Sequence, residues 1–376
     1  MKPRVLMVGR TRYRLPLNQS LERKFDALRE RLDLRVLAAA PRGASSGDAT
    51  FALQRGTPVP PLDGPLFYGS LPVRIARELR RGPADAIVAQ SPYEALAALA
   101  GRKLARSDAA VVVEIHGDWR TWSRLYGSRA RALVAPLADR AALVAIRGAD
   151  AVRTLSPFTT GIVREAGVEP TLSFTTYTEL MAFAEPPVAP LPGRPTALFI
   201  GVLERYKNVH AIAEAWRLAA PRVPEATLRI VGDGRHRDVA DALVRELPGR
   251  VSWDRRLETP DVVKAFDDAW LLLLASRSEG TPRVVLEALC RGRAVVGARA
   301  GGIPDVVRDG ETGLLVDPDR PGEIADALVR ILSDPALAEH LGAEGKARSS
   351  SWTYTPEKYA ADVAELVERA VEARVA

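Results

Sequence analysis

The sequence of 376 residues lacks most features that mark secreted, membrane-spanning or metal-clustered proteins. Its one cysteine, Cys290, excludes an internal disulfide and a cysteine-held metal cluster, so a reducing, cytoplasmic setting is expected. No apolar run approaches the roughly 18 residues of a membrane-spanning helix. The first apolar stretch, VLMV (5–8), is predicted as a strand followed by a basic loop, and it is too short for the apolar region of a signal peptide. The chain is longer than one core usually serves, which favours two domains.

Charge is unevenly distributed along the chain, whose net charge is +6. Residues 1–185 hold 27 lysines and arginines against 18 acidic residues, whereas the remainder holds 26 against 29. The basic residues are spread through amphipathic segments, which argues against a nucleic-acid partner and favours an anionic ligand or a membrane surface. Two arginine-bearing segments, 71–82 and 127–148, are candidates for peripheral contact with the inner membrane face, although ordinary surface helices are the simpler interpretation.

Short apolar runs alternate with helical patterns along both halves of the chain. Strands separated by helices predict parallel α/β units. The segment 183–195 is proline-rich and lacks periodicity, so it is interpreted as a linker. We therefore predict two Rossmann-like parallel-sheet domains facing a cleft, residues 1–185 and 192–352, followed by an amphipathic helix within 353–376. Neither half contains a GxGxxG fingerprint, which makes a nicotinamide enzyme an unfavourable interpretation.

Two carboxylates in the stretch 276–317, Glu279 and Glu287, stand on either side of a predicted loop-to-helix junction. Thr281 is expected as the N-cap and Pro282 as the first helical residue, because proline lacks an N–H that would be unpaired there. Glu279 then belongs to the loop and Glu287 to the helix. At 1.5 Å rise per residue, the two are about 9 Å apart along the helix axis.

The backbone N–H groups of Arg283 and Val284 are expected to lie between these two glutamates. A helix start attracts phosphate, because its unpaired donors and its dipole both favour an anion. A carboxylate accepts hydrogen bonds from hydroxyls. The stretch thus has the outline of a site for a folded nucleotide sugar.

The second half resembles the family 4 glycosyltransferases of GT-B fold. The matching pieces are FIGVLERYKN (199–208), LRIVGDG (228–234), ASRSEGTPRVVLEALCRGRAVVGARAGGIPDVV (275–307) and DGETGLLVDP (309–318). The first half resembles the same family through shorter pieces, IVAQSPYEALAA (87–98), VVVEIHGDW (111–119) and GADAVRTLSPFT (148–159). The resemblance implies a retaining hexosyltransferase that uses a UDP- or GDP-sugar, without a bound metal or other cofactor. It also implies that the last helix crosses back onto the first domain.

Carried over residue by residue, the resemblance assigns Glu279 to hydroxyls of the donor sugar, Glu287 to the ribose and Lys207 to the diphosphate. His116 matches a histidine that touches the sugar near the reacting carbon, although a lone histidine at a strand end is often only a satisfied polar residue. The remaining donor-binding positions are in loops and at the helix start: Gly201, Gly232, Gly280, Thr281, Pro282, Arg283 and Val284.

Two departures from the family pattern are evident. Val202 occupies the place of an arginine in the phosphate loop, and Arg205 is a candidate to supply that charge. Many members have a double glycine after the first strand, where this chain has only Gly9. The arginines that crowd this segment indicate a phosphate-bearing acceptor, or serve only solubility: Arg10, Arg12 and Arg14.

Breaking a glycosyl phosphate bond requires stabilisation of the charge on the leaving oxygen. A cation at 4 Å contributes about 4 kcal/mol at an effective dielectric constant of 20, which corresponds to about a thousandfold in rate. Lys207 and Arg205 are the candidates for this cation, and the catalytic set is completed by Glu279 and His116. Asp317 and Asp319 flank a proline and are interpreted as turn residues, not as a metal-binding DxD motif.

Two alternatives stay open at this point. One is a GT-B relative with another activity on phosphorylated sugars, such as a phosphorylase or an epimerase. The other is a non-catalytic protein that binds sugar nucleotides, which the valine at position 202 and the missing second glycine favour.

Overall fold

The chain folds into two α/β units, each built on its own parallel sheet. The computed structural model describes residues 2–41, 47–56, 62–121 and 135–375. The first unit comprises Met1–Tyr177 and Tyr354–Ala376, and the second comprises Thr178–Thr353. The predicted pair of parallel-sheet domains is confirmed, with seven strands in one sheet and six in the other among these residues.

The sheet of the first unit has the order β3-β2-β1-β4-β5-β6-β7. Its strands are β1 (Arg4–Arg12), β2 (Asp33–Ala40), β3 (Phe51–Arg55), β4 (Ala86–Ala89), β5 (Ala110–Ile115), β6 (Ala151–Thr154) and β7 (Leu172–Ser173). The helices described in this unit are Gln19–Arg31, Asp63–Arg81, Pro92–Ala105, Ala135–Gly148, Pro157–Glu165 and Pro356–Val375. Residues of β4 and β5 are all buried, as expected for strands covered by helices on both faces.

The first strand is longer than the sequence suggested. The predicted strand covered residues 5–8 and left the arginines that follow in a loop, but β1 continues to Arg12 after an irregularity in its register with β2. Arg10 and Arg12 therefore belong to the end of a strand, and only Arg14 follows it. Pairing of Arg12 with Ala39 and the burial of Tyr13 extend the strand beyond its apolar core.

The last helix, Pro356–Val375, is part of the core of the first unit. It packs against the helix Gln19–Arg31 and against β5. Tyr359, Val363 and Val367 are buried in this contact. The residues that close this hydrophobic core thus come from both ends of the sequence.

The sheet of the second unit has the order β10-β9-β8-β11-β12-β13. Its strands are β8 (Thr196–Ile200), β9 (Thr227–Val231), β10 (Val251–Asp254), β11 (Leu271–Leu274), β12 (Ala294–Ala298) and β13 (Gly313–Val316). Its helices are Met181–Ala184, Val209–Ala219, Arg237–Glu246, Thr259–Asp267, Arg283–Cys290, Ile303–Val306, Pro321–Leu332 and Pro335–Ser349. Strand order reverses between β1 and β4 in the first sheet and between β8 and β11 in the second, and ligands of such sheets bind at the carboxyl ends of the strands at this point.

The proline-rich segment after Thr178 packs onto the second unit. Two fully buried arginines bind its backbone: Arg291 donates to the carbonyl of Pro186 at 2.8 Å, and Arg293 donates to that of Ala189 at 2.9 Å. A buried guanidinium requires acceptors, and an irregular segment supplies carbonyls that no sheet uses. These bonds fix the segment on the second unit.

No helix in the described part of the chain is long and apolar enough to cross a membrane. Of the two segments considered for membrane contact, 71–82 overlaps the helix Asp63–Arg81. The other, 127–148, begins outside the described residues and contributes the helix Ala135–Gly148.

Candidate active site

Loops after β8 and β11 meet at the point where the strand order of the second sheet reverses. Lys207 Nζ lies 2.6 Å from Glu279 Oε1, with side chains only 11% and 13% exposed. Arg277 N donates to Tyr206 O at 2.8 Å, which joins the two loops through their backbones. The structure therefore brings together Lys207 and Glu279, which stand 72 residues apart in the sequence.

Close packing of glycines determines where these loops lie. A Cβ atom on Gly302 would stand 1.8 Å from the carbonyl oxygen of Gly280, and the Gly302 N–H donates to Glu279 O at 3.0 Å. In the same way, a Cβ atom on Gly232, whose φ is +142°, would stand 1.9 Å from the Gly201 oxygen. The role of Gly302 was missed by sequence reasoning, although its place in an AGGIP segment of the family pattern was a usable signal.

The helix that follows the Glu279 loop begins one residue later than predicted. It spans Arg283–Cys290, and Pro282 is its N-cap with an extended ψ of 92°. The Pro282 carbonyl accepts a hydrogen bond from Val285 N at 3.0 Å, so proline occupies the cap and not the first helical position. Thr281, the expected N-cap, has a buried hydroxyl without a hydrogen-bond partner among the described residues.

The start of this helix offers donors to an anion. The first N–H groups of any helix lack partners within it, and here they are those of Arg283 and Val284. With eight residues, the helix is long enough for its dipole to favour an anion at this end.

Glu287 lies inside the helix and is 7% exposed. Burial raises its pKa above the usual range, while Arg283 opposes this by donating from Nε to Oε1 at 2.7 Å. One carboxylate oxygen is thus engaged by an exposed arginine of the same helix. A ligand hydroxyl that donates to the other oxygen would stabilise the charged form.

In the first unit, His116 follows β5 and is held by a buried acid. Its Nε2 lies 3.2 Å from Glu114 Oε2, and its side chain is 41% exposed. The other carboxylate oxygen of Glu114 is paired with the buried Arg153. Burial raises the pKa of Glu114, but Arg153 and the hydrogen bond from His116 outweigh it and lower that pKa to about 2. Arg153 is itself fixed through Nη2 by the Thr175 carbonyl at 3.0 Å.

Sequence reasoning missed both Glu114 and Arg153. A signal was present, since each is a charged residue inside an otherwise apolar strand pattern. A buried charge is seldom found without a partner. The sequence could have indicated that each has one, but not that they pair with each other.

The segment around Gly9 is held by residues at the start of the helix Pro92–Ala105. Arg10 N donates to Glu94 Oε1 at 3.2 Å, and Tyr68 OH donates to the same oxygen at 3.2 Å. Glu94 is 3% exposed, and burial raises its pKa. A Cβ atom on Gly9 would stand 2.0 Å from Gln90 Oε1, so a larger residue there would require the Gln90 side chain to move.

The three arginines predicted on the acceptor side do not all line the same pocket. Arg10 and Arg12 line one pocket at the carboxyl ends of β1, β2 and β3. Arg14 is exposed and does not line this pocket.

Val202 and Arg205 are both exposed, and Val202 retains 47% of its accessible surface. Arg205 opens the 3₁₀ turn Arg205–Lys207, which ends at Asn208 in the left-handed region with φ of 61°. No ion pair joins Arg205 to Glu279 within the part of the chain that the structure describes. That Arg205 supplies the positive charge of the arginine that Val202 replaces stays a prediction.

Two protein-family profiles match the chain, one in each unit. The profile of the glycosyl transferases group 1 matches residues 184–348, and that of the glycosyl transferase 4-like domain matches residues 17–172. The first match contains Lys207, Glu279 and Glu287, and the second contains His116.

Curated proteins of related sequence are matched over part of their length. The chain is 32% identical over 171 residues to the D-inositol 3-phosphate glycosyltransferase of Corynebacterium efficiens, a match covering 42% of this chain and 39% of that protein. The chain thus spans about two fifths of the length of the curated relatives it matches.

Solved structures match nearly the whole chain. Sucrose-phosphate synthase from Thermosynechococcus elongatus superposes with a TM-score of 0.78 at 19% identity and covers 98% of both chains. The Anabaena protein HepE, solved in complex with UDP-glucose, has a TM-score of 0.69 at 18% identity and covers 96% of this chain and 98% of its own. At these identities the likeness shows the fold.

Proposed function

Because the chain belongs to the group 1 and 4-like glycosyltransferases of GT-B fold, we propose that it moves a hexosyl group from a nucleotide-sugar donor to an acceptor, with retention of anomeric configuration. The second unit binds the donor, and the first unit binds the acceptor. The observation that carries this proposal is the contact of Lys207 with Glu279 beside the start of the helix Arg283–Cys290. Lys207 supplies a cation, Glu279 supplies a carboxylate that accepts hydrogen bonds from hydroxyls, and the helix start supplies unpaired N–H groups. All three lie at the edge of the sheet where its ligands bind.

In this proposal each side chain has a distinct partner on the donor. Lys207 binds the diphosphate, Glu279 accepts hydrogen bonds from sugar hydroxyls, and Glu287 accepts from the ribose. His116 of the first unit touches the sugar near the reacting carbon. None of these groups acts as a covalent nucleophile, so catalysis consists of positioning and electrostatic stabilisation.

Departure of the nucleoside diphosphate is assisted by protein groups in place of a metal or cofactor. Lys207 is only 11% exposed, so solvent screens its charge weakly. The N–H groups of Arg283 and Val284 add donors aimed at an anion. Arg205, exposed at the start of its turn, is free to swing toward the same phosphates.

We expect a UDP- or GDP-sugar as donor. The fold likeness to the UDP-glucose complex of HepE makes UDP-sugars the first to test. On the acceptor side, the end of β1 presents Gly9, Arg10 and Arg12, with Arg14 beyond it. The surplus of basic residues in this half supports an anionic or lipid-linked acceptor.

Peripheral contact with a membrane is a further part of the proposal. Val73 on the helix Asp63–Arg81 is 53% exposed, and Leu137 and Val144 on the helix Ala135–Gly148 are 70% and 61% exposed. Apolar residues exposed beside arginines suit an anionic bilayer surface. Co-sedimentation with phosphatidylglycerol vesicles tests this, and absence from the pellet would remove it.

The test of the transfer itself is a donor panel. The full chain is incubated with UDP- and GDP-sugars, and release of the nucleoside diphosphate is measured with and without candidate acceptors. Glu279→Ala should abolish release while its circular dichroism shows that the fold is kept. Turnover at the wild-type rate in this variant would sink the assignment.

The same panel separates the alternatives. A phosphorylase would release a sugar phosphate in the presence of inorganic phosphate, and an epimerase would change the sugar without releasing the nucleotide. A non-catalytic binding protein would bind nucleotide in calorimetry with no turnover for any acceptor.

A further inference from the structure

A shallow pocket opens at the carboxyl ends of β1, β2 and β3 in the first unit. Its polar lining consists of Arg10, Arg12, Gln54, Arg55 and Asp63. These side chains come from β1, from β3 and from the start of the helix Asp63–Arg81. The pocket shares its sheet edge with His116, which follows β5 in the same sheet.

The guanidinium of Arg10 is held in place at this pocket, where no described residue forms an ion pair with it. It lies over the Tyr68 ring, 5.9 Å from the centroid, and its Nη2 is 3.4 Å from where a Cβ on Gly64 would stand. Gly64 is in the first turn of a 19-residue helix, where the dipole disfavours a cation. An anion at this point would relieve the unfavourable arrangement.

Gln54 is oriented by its neighbours. Its Oε1 accepts hydrogen bonds from Arg74 Nη1 at 2.8 Å and from Ser70 Oγ at 3.2 Å. With the amide oxygen occupied, the NH₂ group is left to donate into the pocket that Gln54 lines. Gln54 therefore adds a neutral donor to the guanidinium groups.

The net positive charge of the residues that line the pocket favours an anionic ligand. Three arginines face one carboxylate, and that carboxylate, Asp63, already lies 3.4 Å from Arg12 Nη2. Arg10 and Arg55 remain as two positive charges without an ion-pair partner among the described residues. A phosphomonoester carries about −1.5 to −2 at pH 7 and has three oxygens that accept hydrogen bonds. Arginine matches such oxygens with paired N–H donors.

We propose that this pocket binds the phosphate of the acceptor substrate, so that the acceptor is a phosphorylated polyol or sugar, free or as a lipid headgroup. That the bound phosphate belongs to the acceptor rests on the proposed transferase function, whereas phosphate binding in this pocket does not depend on that function. Arg10 and Arg55 donate charged hydrogen bonds to the phosphate oxygens, and Gln54 donates a further hydrogen bond. Asp63 orients Arg12. The acceptor hydroxyl then extends along the sheet edge toward β4 and β5.

Equilibrium binding to the full chain tests the inference without a donor present. Calorimetry with glucose 6-phosphate, glucose and inorganic phosphate is performed on the wild type and on Arg10→Gln and Arg55→Gln. Arg31→Gln, which removes the same charge from an exposed helix end of the same unit, is the control. We expect glucose 6-phosphate to bind more tightly than glucose, and each pocket variant to weaken it about tenfold or more.

A second arm identifies the source of the phosphate. If only vesicles containing phosphatidylinositol 4-phosphate bind, whose headgroup is a polyol carrying a phosphomonoester, and binding is weakened in Arg10→Gln and Arg55→Gln but not in Arg31→Gln, the phosphate belongs to a lipid headgroup. The inference is overturned if neither probe binds, or if both pocket variants bind like the control. UDP binding is measured on the same samples and reports on the second unit. Absence of UDP binding would therefore count against the proposed function, but not against phosphate binding in this pocket.

Discussion

Lys207 and Glu279 form an ion pair, with 2.6 Å between Nζ and Oε1. The two residues follow different strands, β8 and β11, which are neighbours in the sheet. Each side chain restricts the rotamers of the other, so less conformational entropy is lost when a donor binds. The pair also keeps two largely buried charges neutral as a unit.

Lys207→Met should lower the turnover number more than it weakens donor binding. In the proposed site the lost cation faces charge that develops only as the nucleoside diphosphate leaves, and one such donor typically contributes about a hundredfold to a thousandfold. Steady-state kinetics with the active nucleotide sugar would measure it. Lys264→Met, the same substitution at an exposed helix position of the second unit, is the matched control and should leave turnover unchanged. An equal loss in both variants would contradict the assignment of Lys207.

Glu287→Gln should weaken nucleotide binding without lowering the stability of the folded protein. Burial raises the pKa of Glu287, so the folded state pays for its ionisation at neutral pH, and an uncharged amide should leave the melting temperature unchanged or raise it. Hydrogen bonds from ribose hydroxyls to a carboxylate would be weakened, and nucleotide affinity should fall about tenfold to a hundredfold. Thermal unfolding and calorimetry with UDP would measure the two effects. A variant with unchanged UDP affinity would remove Glu287 from the nucleotide site.

Gly302→Ala should damage donor binding through the backbone. Its Cβ would stand 1.8 Å from the Gly280 oxygen, so the loop that carries Glu279 must shift. Gly322→Ala is the control, because no atom of the described residues, apart from its chain neighbours and its own helix backbone, lies within 4 Å of its Cβ position. We expect UDP affinity to fall at least about tenfold for Gly302→Ala and to stay constant for the control. Equal affinities would show that the loop tolerates the displacement.

Glu114→Gln should destabilise the first unit. The substitution leaves Arg153, which is fully buried, without its counter-ion, and loss of one partner of a buried pair costs roughly 3–5 kcal/mol. Urea unfolding would measure this loss. The exposed pair of Arg164 with Glu169 provides the control, since Glu169→Gln should leave the midpoint unchanged. Reduced turnover with an unchanged unfolding midpoint would instead mean that Glu114 acts only through His116.

Stability should also depend on Glu114 at low pH. Its pKa is about 2 in the folded protein and about 4.3 in an unfolded chain, so the ionised form is favoured by folding. This contribution is complete above pH 4.3 and is lost as pH falls toward 2. The unfolding midpoint of the wild type should therefore decline over this window more steeply than that of Glu114→Gln. Parallel declines would show that other carboxylates dominate.

Much of the fold was accessible to sequence reasoning because parallel sheets leave a strong pattern. Short apolar strands separated by helices specify parallel α/β units, and the family resemblance selected Glu279 and Lys207, which the structure brings together. The exact helix start was not accessible, because proline is acceptable both as a cap and as a first helical residue. Pro282 took the cap position, and only the backbone of the loop decides between these two.

The partners of buried charges could not be predicted for a different reason. Glu114 and Arg153 are 39 residues apart, and Arg293 binds a carbonyl 104 residues away. Such contacts depend on strand order and on the path of the linker, which local periodicity does not encode. The arginine pocket is similar, since Arg10 and Arg55 meet only because β1, β2 and β3 are neighbours.

The helix Pro356–Val375 has a consequence for how the protein is made. Its residues Tyr359, Val363 and Val367 complete the core of the unit that begins at the amino terminus. On the ribosome, domains generally fold as units while the chain emerges. Here the continuous second unit, Thr178–Thr353, emerges in full before the first unit receives its last helix. Part of the apolar surface of the first unit therefore stays uncovered until residues made about 180 positions later have emerged.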